Sequence, residues 1–257
     1  MILFNNLGLI TLIFAVYEKK SKLREDVLQF LNFVSTDPSF QVLLVYNGEL
    51  TNLNDLPSSI KFISNPTQGY DLNCYLRGFL ECKQEGVSRL IFLNNSIEIT
   101  DPLVFIKTLK KISGLLDNST FVSFSLSEEI RPHFQSFLFG INLIDDTDSQ
   151  VLLKQICLAN DRPFSRYEVI QEFELKTFEF VVDYLKWTYS VLFIPSFFMR
   201  LKAYVNFLLH FGFFDNIRAV FYPNELNFSI FLKKDIHSKF GFKKIKSSSI
   251  LNKWNEN

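Results

Sequence analysis

The sequence is short of the features that mark several large function classes. It has three cysteines in 257 residues, Cys74, Cys82 and Cys157, an odd count with no C-x-x-C pair. That argues against a disulfide scaffold and a cysteine-rich zinc site, and makes a reducing compartment the default. It has no surplus of either charge, with 27 Lys+Arg against 27 Asp+Glu. A general nucleic-acid binder shows a strong basic excess, so nucleic acid is not an expected partner. Nine glycines are scattered without forming G-x-G-x-x-G after a strand or the G-x-x-x-x-G-K-[ST] phosphate loop. G-x-S-x-G and H-E-x-x-H are missing too, and His133, His210 and His237 lie far apart. Dinucleotide-dependent, P-loop, serine-hydrolase and zinc-protease chemistries all weaken on these absences.

Long apolar runs are also missing. Met1–Tyr17 carries no charge, but it has no basic start and no small-residue cleavage site, and Asn5, Asn6 and Gly8 interrupt it. It is neither a signal peptide nor the ~20 apolar residues of a membrane span. Trp187–Phe214 holds only Arg200 and Lys202 as charges and is broken by Pro195. Two readings fit it. One is a pair of buried helices. The other is an interfacial element that sets Phe197, Phe198, Phe207, Phe211 and Phe214 into a lipid surface, with Arg200 and Lys202 at the headgroups.

What is abundant is phenylalanine, 30 residues of it, within 47% hydrophobic composition. A packed core follows. Biased base composition accounts for such a count as well as function does; either way, some Phe is expected on a partner or membrane surface. Charge is uneven: Lys233–Asn257 carries seven lysines against Asp235 and Glu256. Such an end is a solvated face or a meeting point for anionic lipid or a phosphate-bearing substrate.

Periodicity gives strands at Leu9–Tyr17, Phe40–Tyr46, Ile60–Ser64 and Arg89–Leu93. Helices fall at Ser21–Val34 with Ser21 as N-cap, at Gly69–Glu85, and at Asp101–Leu116 with Pro102 in its first turn. Phe121–Ser125 and Phe134–Ile144 follow as strands, then helices at Ser149–Ala159, Glu174–Leu185 and Leu201–Phe211. The β-α-β-β-α-β-α order predicts an α/β fold, a mostly parallel sheet flanked by helices, with a C-terminal helical extension. With no repeat and no low-complexity linker, residues 1–147 are expected to form the α/β part and residues 148–257 a mainly helical part packed with it as one unit.

In such sheets ligands bind beyond the carboxyl ends of the strands, which draws attention to Glu18, Asn47, Asn65 and Asn94–Ser96. Two segments stand out. Asn65-Pro66-Thr67-Gln68-Gly69-Tyr70-Asp71 runs from a strand into a helix, where Gly69 permits close backbone approach and helix N–H groups favour an anion. Leu90–Ser96 is an apolar strand delivering Asn94, Asn95 and Ser96 to the sheet edge. That edge suits a sugar nucleotide, whose diphosphate needs a helix dipole or cation and whose hydroxyls need amide and carboxylate partners. A bland turn with a capping Asn explains either segment alone.

Asn65-x-x-x-Gly69-x-Asp71, followed by a helix and Leu93-Asn94-Asn95-Ser96-Ile97, resembles the rhamnan synthesis F family of bacterial surface-polysaccharide glycosyltransferases. His133-Phe134-Gln135-Ser136-Phe137 resembles its H-x-Q-S-aromatic strand, Glu174-Leu175 its helix-opening glutamate, and Gly241–Lys246 its terminal P-F-I-K stretch. The likeness keeps its order across residues 9–251. It implies a GT-A-like fold and transfer of rhamnose or a similar sugar from a nucleotide-sugar donor such as dTDP-rhamnose. The acceptor would be a surface polysaccharide, lipopolysaccharide or other lipid-linked glycan, and the place of work the cytoplasmic side of the inner membrane, peripherally held. Asn65, Gly69, Asp71, Asn94, Asn95 and Ser96 would hold the donor, with His133, Gln135, Ser136 and Lys246 at the sugar or acceptor. Glu174 would be the base, with Asp71 beside the chemistry, although each also suits a plain helix start. No organic cofactor is implied. Mg²⁺ or Mn²⁺ is, with Asn95 as ligand where the family has an acidic residue, and Gly241 stands in place of the family's proline. A non-catalytic glycan-binding or assembly scaffold on the same fold is the rival reading, and a membrane-surface adaptor a third.

Overall fold

The computed structural model describes residues 9–17, 22–65, 71–127, 133–143, 175–194 and 237–244. Its centre is strand β1, Ile10–Tyr17, buried along seven of its eight residues. Such a run has no polar face, and the only place for it is inside a sheet covered on both sides. Its parallel neighbours are β2, Phe40–Asn47, and β4, Arg89–Asn94; β3, Lys61–Asn65, extends the sheet beyond β2. Past β4 the order continues through β8 (Leu138–Asn142), β6 (Phe121–Ser127) and β7 (His133–Phe134), with β9 (Tyr189–Phe193) parallel to β6. The β8 strand runs antiparallel to both neighbours. The fold is therefore α/β with a largely parallel sheet flanked by helices, as the sequence predicts.

Alternation along β1 sorts the two layers. Ile10, Leu12, Phe14 and Val16 face the layer of α1 (Glu25–Val34) and α3 (Pro102–Leu115). Ile13 and Ala15 face α2 (Asp71–Gln84). A Cβ on Gly78 of α2 would lie 2.5 Å from a methyl of Ile13, so the helix rests directly on β1 through a residue without a side chain. Phenylalanine fills the first layer: Phe14, Phe30, Phe105 and Phe242 form a chain of edge-to-face contacts with centroids 5.2–6.0 Å apart. Among the described residues most Phe is interior, and Phe33 and Phe62 are the half-exposed ones.

Several elements differ from the sequence reading. The first helix begins at Glu25, not Ser21. Leu23 is held extended by the Asn52 side chain, which accepts its N–H at 2.9 Å, and Arg24 keeps an extended backbone. The strand expected over Phe134–Ile144 is broken into β7 and β8 at Gln135–Phe137, where Gln135 N–H donates to Ser125 O, Ser136 O accepts the Tyr75 hydroxyl and Phe137 O accepts Asn94 N–H. Tyr189–Phe193 is a strand, which corrects the helical reading of that part of Trp187–Phe214; it pairs in parallel with β6, and the ladder bonds decide its conformation. Leu175–Glu179 is helical as expected (α4) and continues into one π-turn at Phe180–Tyr184. The helices expected over Ser149–Ala159 and Leu201–Phe211 lie outside the described residues. Two strands were not foreseen: β5, Ile97–Ile99, and β10, Phe242–Lys244, form an antiparallel pair beside α3. In the lysine-rich end, Lys243 pairs with Glu98 at 2.8 Å, so this lysine is engaged with the fold. Among the described residues no helix is long and apolar enough to cross a membrane.

The approach to β10 depends on Gly241. Its φ is +82°, its carbonyl accepts the N–H groups of Thr100 and Asp101, and a Cβ there would lie 2.5 Å from Asp101 O and Phe105 N. Gly86 has φ +72° with open space around it. Gly241→Ala is expected to cost about 3 kcal/mol, backbone strain plus overpacking, and Gly86→Ala about 1 kcal/mol from strain alone. Urea midpoints of the two variants measure the difference.

Candidate functional site

Register places the carboxyl ends of the parallel strands side by side. Tyr17 lies opposite Asn47, Asn47 opposite Asn65, and Asn94 opposite Ala15 near the end of β1. Three asparagines and a half-exposed tyrosine thus end adjacent strands on one rim. Strand β8 pairs antiparallel with β4, Leu138 against Leu93, so its start brings Ser136 and Phe137 to the same rim.

The two polar tips singled out in the sequence meet there. The Asn94 amide, 2% exposed, donates through Nδ2 to Asp71 Oδ2 at 2.7 Å. Its Oδ1 accepts both the backbone N–H (3.1 Å) and the hydroxyl (2.5 Å) of Ser96. A backbone N–H can only donate, so the Ser96 amide fixes which end of Asn94 faces the carboxylate. Asp71 is the first residue of α2, where the helix dipole favours its charge. Asn65, buried at the end of β3, donates to Cys74 Sγ of α2 at 3.7 Å. Tyr75 of α2 lies in the apolar layer, edge-on to Phe92 and Phe139, and its hydroxyl donates to Ser136 O at 3.1 Å. Helix α2 is thereby bonded to β3, β4 and the start of β8 at one end of the sheet.

Asn95 behaves differently. Its Nδ2 donates to Tyr17 O at 2.9 Å and its Oδ1 accepts Tyr17 N–H at 3.3 Å. The side chain is turned back as a staple between the ends of β4 and β1, so the oxygen expected as a candidate cation ligand already accepts a backbone N–H. A hard divalent cation takes about six oxygen donors with negative charge among them. Among the described residues no group of three or more His, Cys, Asp or Glu is placed to hold one. At this rim Asp71 is the described carboxylate, one of its oxygens is bonded to Asn94, and the oxygens of Asn94 and Asn95 are committed within the protein. This donor set does not fit a resident cation.

His133 and Gln135 are both buried and contact each other, Nε2 to Nε2 at 3.2 Å. β7 pairs His133 with Ser127, and Gln135 N–H donates to Ser125 O, so they lie on the β6 side of the rim. Ser136 presents its carbonyl to Tyr75. Gly69, Glu174 and Lys246 lie outside the described residues. A separate concavity of about 220 Å³ opens at the opposite edge, lined by Leu9, Ser35, Phe40, Gln41, Val42, Ser59 and Ile60. It shares no residue with the rim.

Sequence reasoning missed Tyr17, Tyr75 and Arg24, which hold the rim in shape. Tyr75 looks like one more apolar residue on a helix face. Arg24, two residues before Asp26 at a helix start, carries a signal only once the turn it reaches is known.

No family model matches the chain, and neither does a curated protein sequence. Among solved structures it is similar to a protein from Desulfovibrio desulfuricans G20 described as a nucleotide-diphospho-sugar transferase. Identity is 9%, over 90% of this chain and 96% of that one, with a TM-score of 0.45. It is similar to a cytidylyltransferase from Leptospira borgpetersenii serovar Hardjo-bovis at 12% identity over 90% and 96%, with a TM-score of 0.40. It is also similar to the glycosyltransferase GlyE of Streptococcus pneumoniae TIGR4 at 11% identity over 94% and 66%, with a TM-score of 0.43. At these values the likeness decides neither family nor activity.

Burial under the rim leaves a titration signature. Desolvation pushes the Cys74 thiol up to about 12; the bond from Asn65 opposes this and the Asp71 charge adds to it. Burial likewise pushes Cys82 up to about 12. Both stay neutral in the folded state after they would ionise in the unfolded chain. Their contribution is therefore intact below about pH 9 and is lost as pH rises toward about 12, at about 1.4 kcal/mol per pH unit for each thiol. Cys74→Ala removes one thiol's share of that slope. Urea midpoints of native protein and variant at pH 8 and pH 10 check it.

Proposed function

We propose that the chain is a glycosyltransferase that binds a nucleotide-sugar donor at the carboxyl rim of its sheet. The observation that carries the reading is the direct bond between the two polar tips, Asn94 to Asp71, with Ser96 beside it. It sets a carboxylate, an amide and a hydroxyl at the N-terminus of a 14-residue helix. Donor phosphates would take N–H groups in the first turn of α2, with Gly69, just before it in sequence, as a proposed further contact. Ser96 and Asn94 would hold sugar or ribose hydroxyls. The order of motifs along the chain, which resembles the rhamnan synthesis F family, makes rhamnose or a similar sugar the proposed cargo. A lipid-linked or surface glycan is the proposed acceptor, and the inner-membrane surface the proposed place of work.

In an inverting transfer the acceptor hydroxyl attacks the anomeric carbon, its proton passes to a base, and the nucleoside diphosphate departs with the bonding electrons. Glu174 is the proposed base. His133, Gln135, Ser136 and Lys246 are the proposed sugar or acceptor contacts. No step is routed through a metal, since the described donor set does not fit one.

A second reading, a glycan-binding scaffold on a degenerate transferase fold, is favoured by one feature. The position that is acidic in the family is Asn95, and its amide is spent on the Tyr17 backbone.

Calorimetric titration of the full chain with a panel of nucleotide-sugars including dTDP-rhamnose, with and without Mg²⁺ or Mn²⁺, separates the two. Donor binding is expected, weakened about tenfold or more in Asp71→Asn and in Asn94→Ala, because each loses hydrogen bonding that involves a charged group. Undiminished donor turnover by both variants removes this site. Tight glycan binding with no nucleotide binding establishes the scaffold.

A further inference from the structure

Arg24 stands immediately before α1 and 71 residues from Asn95 in chain order, yet its side chain ends on the turn at Asn95–Ile97. Nη1 donates to Asn95 O at 2.8 Å and Nη2 to Ile97 O at 2.6 Å. The other edge of the guanidinium meets Asp26, with Nε to Oδ1 at 2.9 Å and Nη2 to Oδ2 at 3.0 Å. Asp26 Oδ2 in turn accepts Ile99 N–H at 2.9 Å. The pair thus grips the chain at residues 95, 97 and 99, the turn that leaves Asn94 and the strand that follows. These contacts use the planar fork of arginine from two edges at once, which the single ammonium of lysine does not reproduce.

We propose that Arg24, braced by Asp26, is a positioning residue for the donor site. It fixes the tilt of the 94–97 turn, and so aims the Asn94 amide and the Ser96 hydroxyl at the ligand held against Asp71. The proposal rests on the donor-site reading above. It differs from a general stabilising role because Arg24 lies outside the apolar core, with a side chain 27% exposed. The turn also keeps independent anchors when Arg24 is lost: the Asn95 staple to Tyr17 and the bond from Asn95 N–H to Ala15 O. Removing the fork is therefore expected to loosen the aim of the turn while the sheet stays folded.

The test compares the full native chain with Arg24→Lys and Arg24→Ala, using UDP, GDP, CDP and dTDP as calorimetric probes. Amide hydrogen exchange is followed across residues 95–99. In both variants exchange at Ile99 and its neighbours is expected to quicken about tenfold, α2 and α3 are expected to stay protected, and the melting temperature to move little. Affinity for the diphosphate that binds the native chain is expected to fall about tenfold, and millimolar methylguanidinium is expected to restore it in Arg24→Ala without changing the melting temperature. Unchanged exchange over 95–99 overturns the clamp. Quickened exchange with undiminished affinity overturns the positioning role and leaves the donor site standing. A native chain that binds none of the four diphosphates overturns the donor-site reading and the positioning role together, whatever exchange shows.

Discussion

The bond from Asn94 to Asp71 is the constraint around which the rim is organised. It joins the last residue of a strand buried along five of its six residues to the first residue of the helix crossing over it. A buried amide must find partners for both of its ends, and here a carboxylate takes one and the next turn takes the other. The consequence is geometric as much as energetic. Helix α2 cannot slide along the sheet without breaking a charge-assisted bond, and the missing side chain of Gly78 lets it rest directly on Ile13. The carboxylate is thus held at one height above the sheet, at the positive end of the helix.

Other contacts support that bond from outside the immediate cluster. Tyr75 ties α2 to the first residues of β8, Asn95 ties β4 to the end of β1, and Arg24 ties the following turn to α1. None of these residues needs to touch a ligand to matter. Together they convert flexible polar tips into a rim of fixed shape, set on a sheet whose alternate residues are buried on both faces. The resulting arrangement has short amides and hydroxyls at the surface and longer side chains, Tyr and Arg, as struts behind them.

The apolar framework was legible because its signals are local. The β-branched and aromatic runs at Ile10–Tyr17 and Phe40–Asn47, and the Asp101-Pro102 start of α3, declare themselves without their partners. Asp101 caps α3 through a 3.0 Å bond to Val104 N–H. The convergence of the 65–71 and 94–96 tips was legible for a related reason: parallel strands joined by helices must end on one edge. What was hidden depends on distant pairing. Ile97–Ile99 is too short to announce a strand and exists because Phe242–Lys244 lies against it. Tyr189–Phe193 is a strand because β6 presents an open edge to it. The split at Gln135–Phe137 follows from bonds to Tyr75, Ser125 and Asn94, all remote in sequence. The turn of the Asn95 amide back onto Tyr17 was hidden too, since composition says nothing about which way an amide faces. Glu174, Gly69 and Lys246 lie outside the described residues and stay expectations.

The pairing of β5 with β10 has a consequence for how the protein is made. While the chain is being synthesised, β5 and the α3 face that Phe242 covers emerge long before the segment that closes them. Throughout that interval a short hydrogen-bonding edge and the rings of Phe105 and Phe124 are open to other nascent chains. The segment that closes β5 is thus also the seal over one of the fold's most aromatic surfaces. Termination after Phe193 but before Gly241 would leave the main sheet with all its strands yet sticky on one flank, a species for chaperones rather than for catalysis.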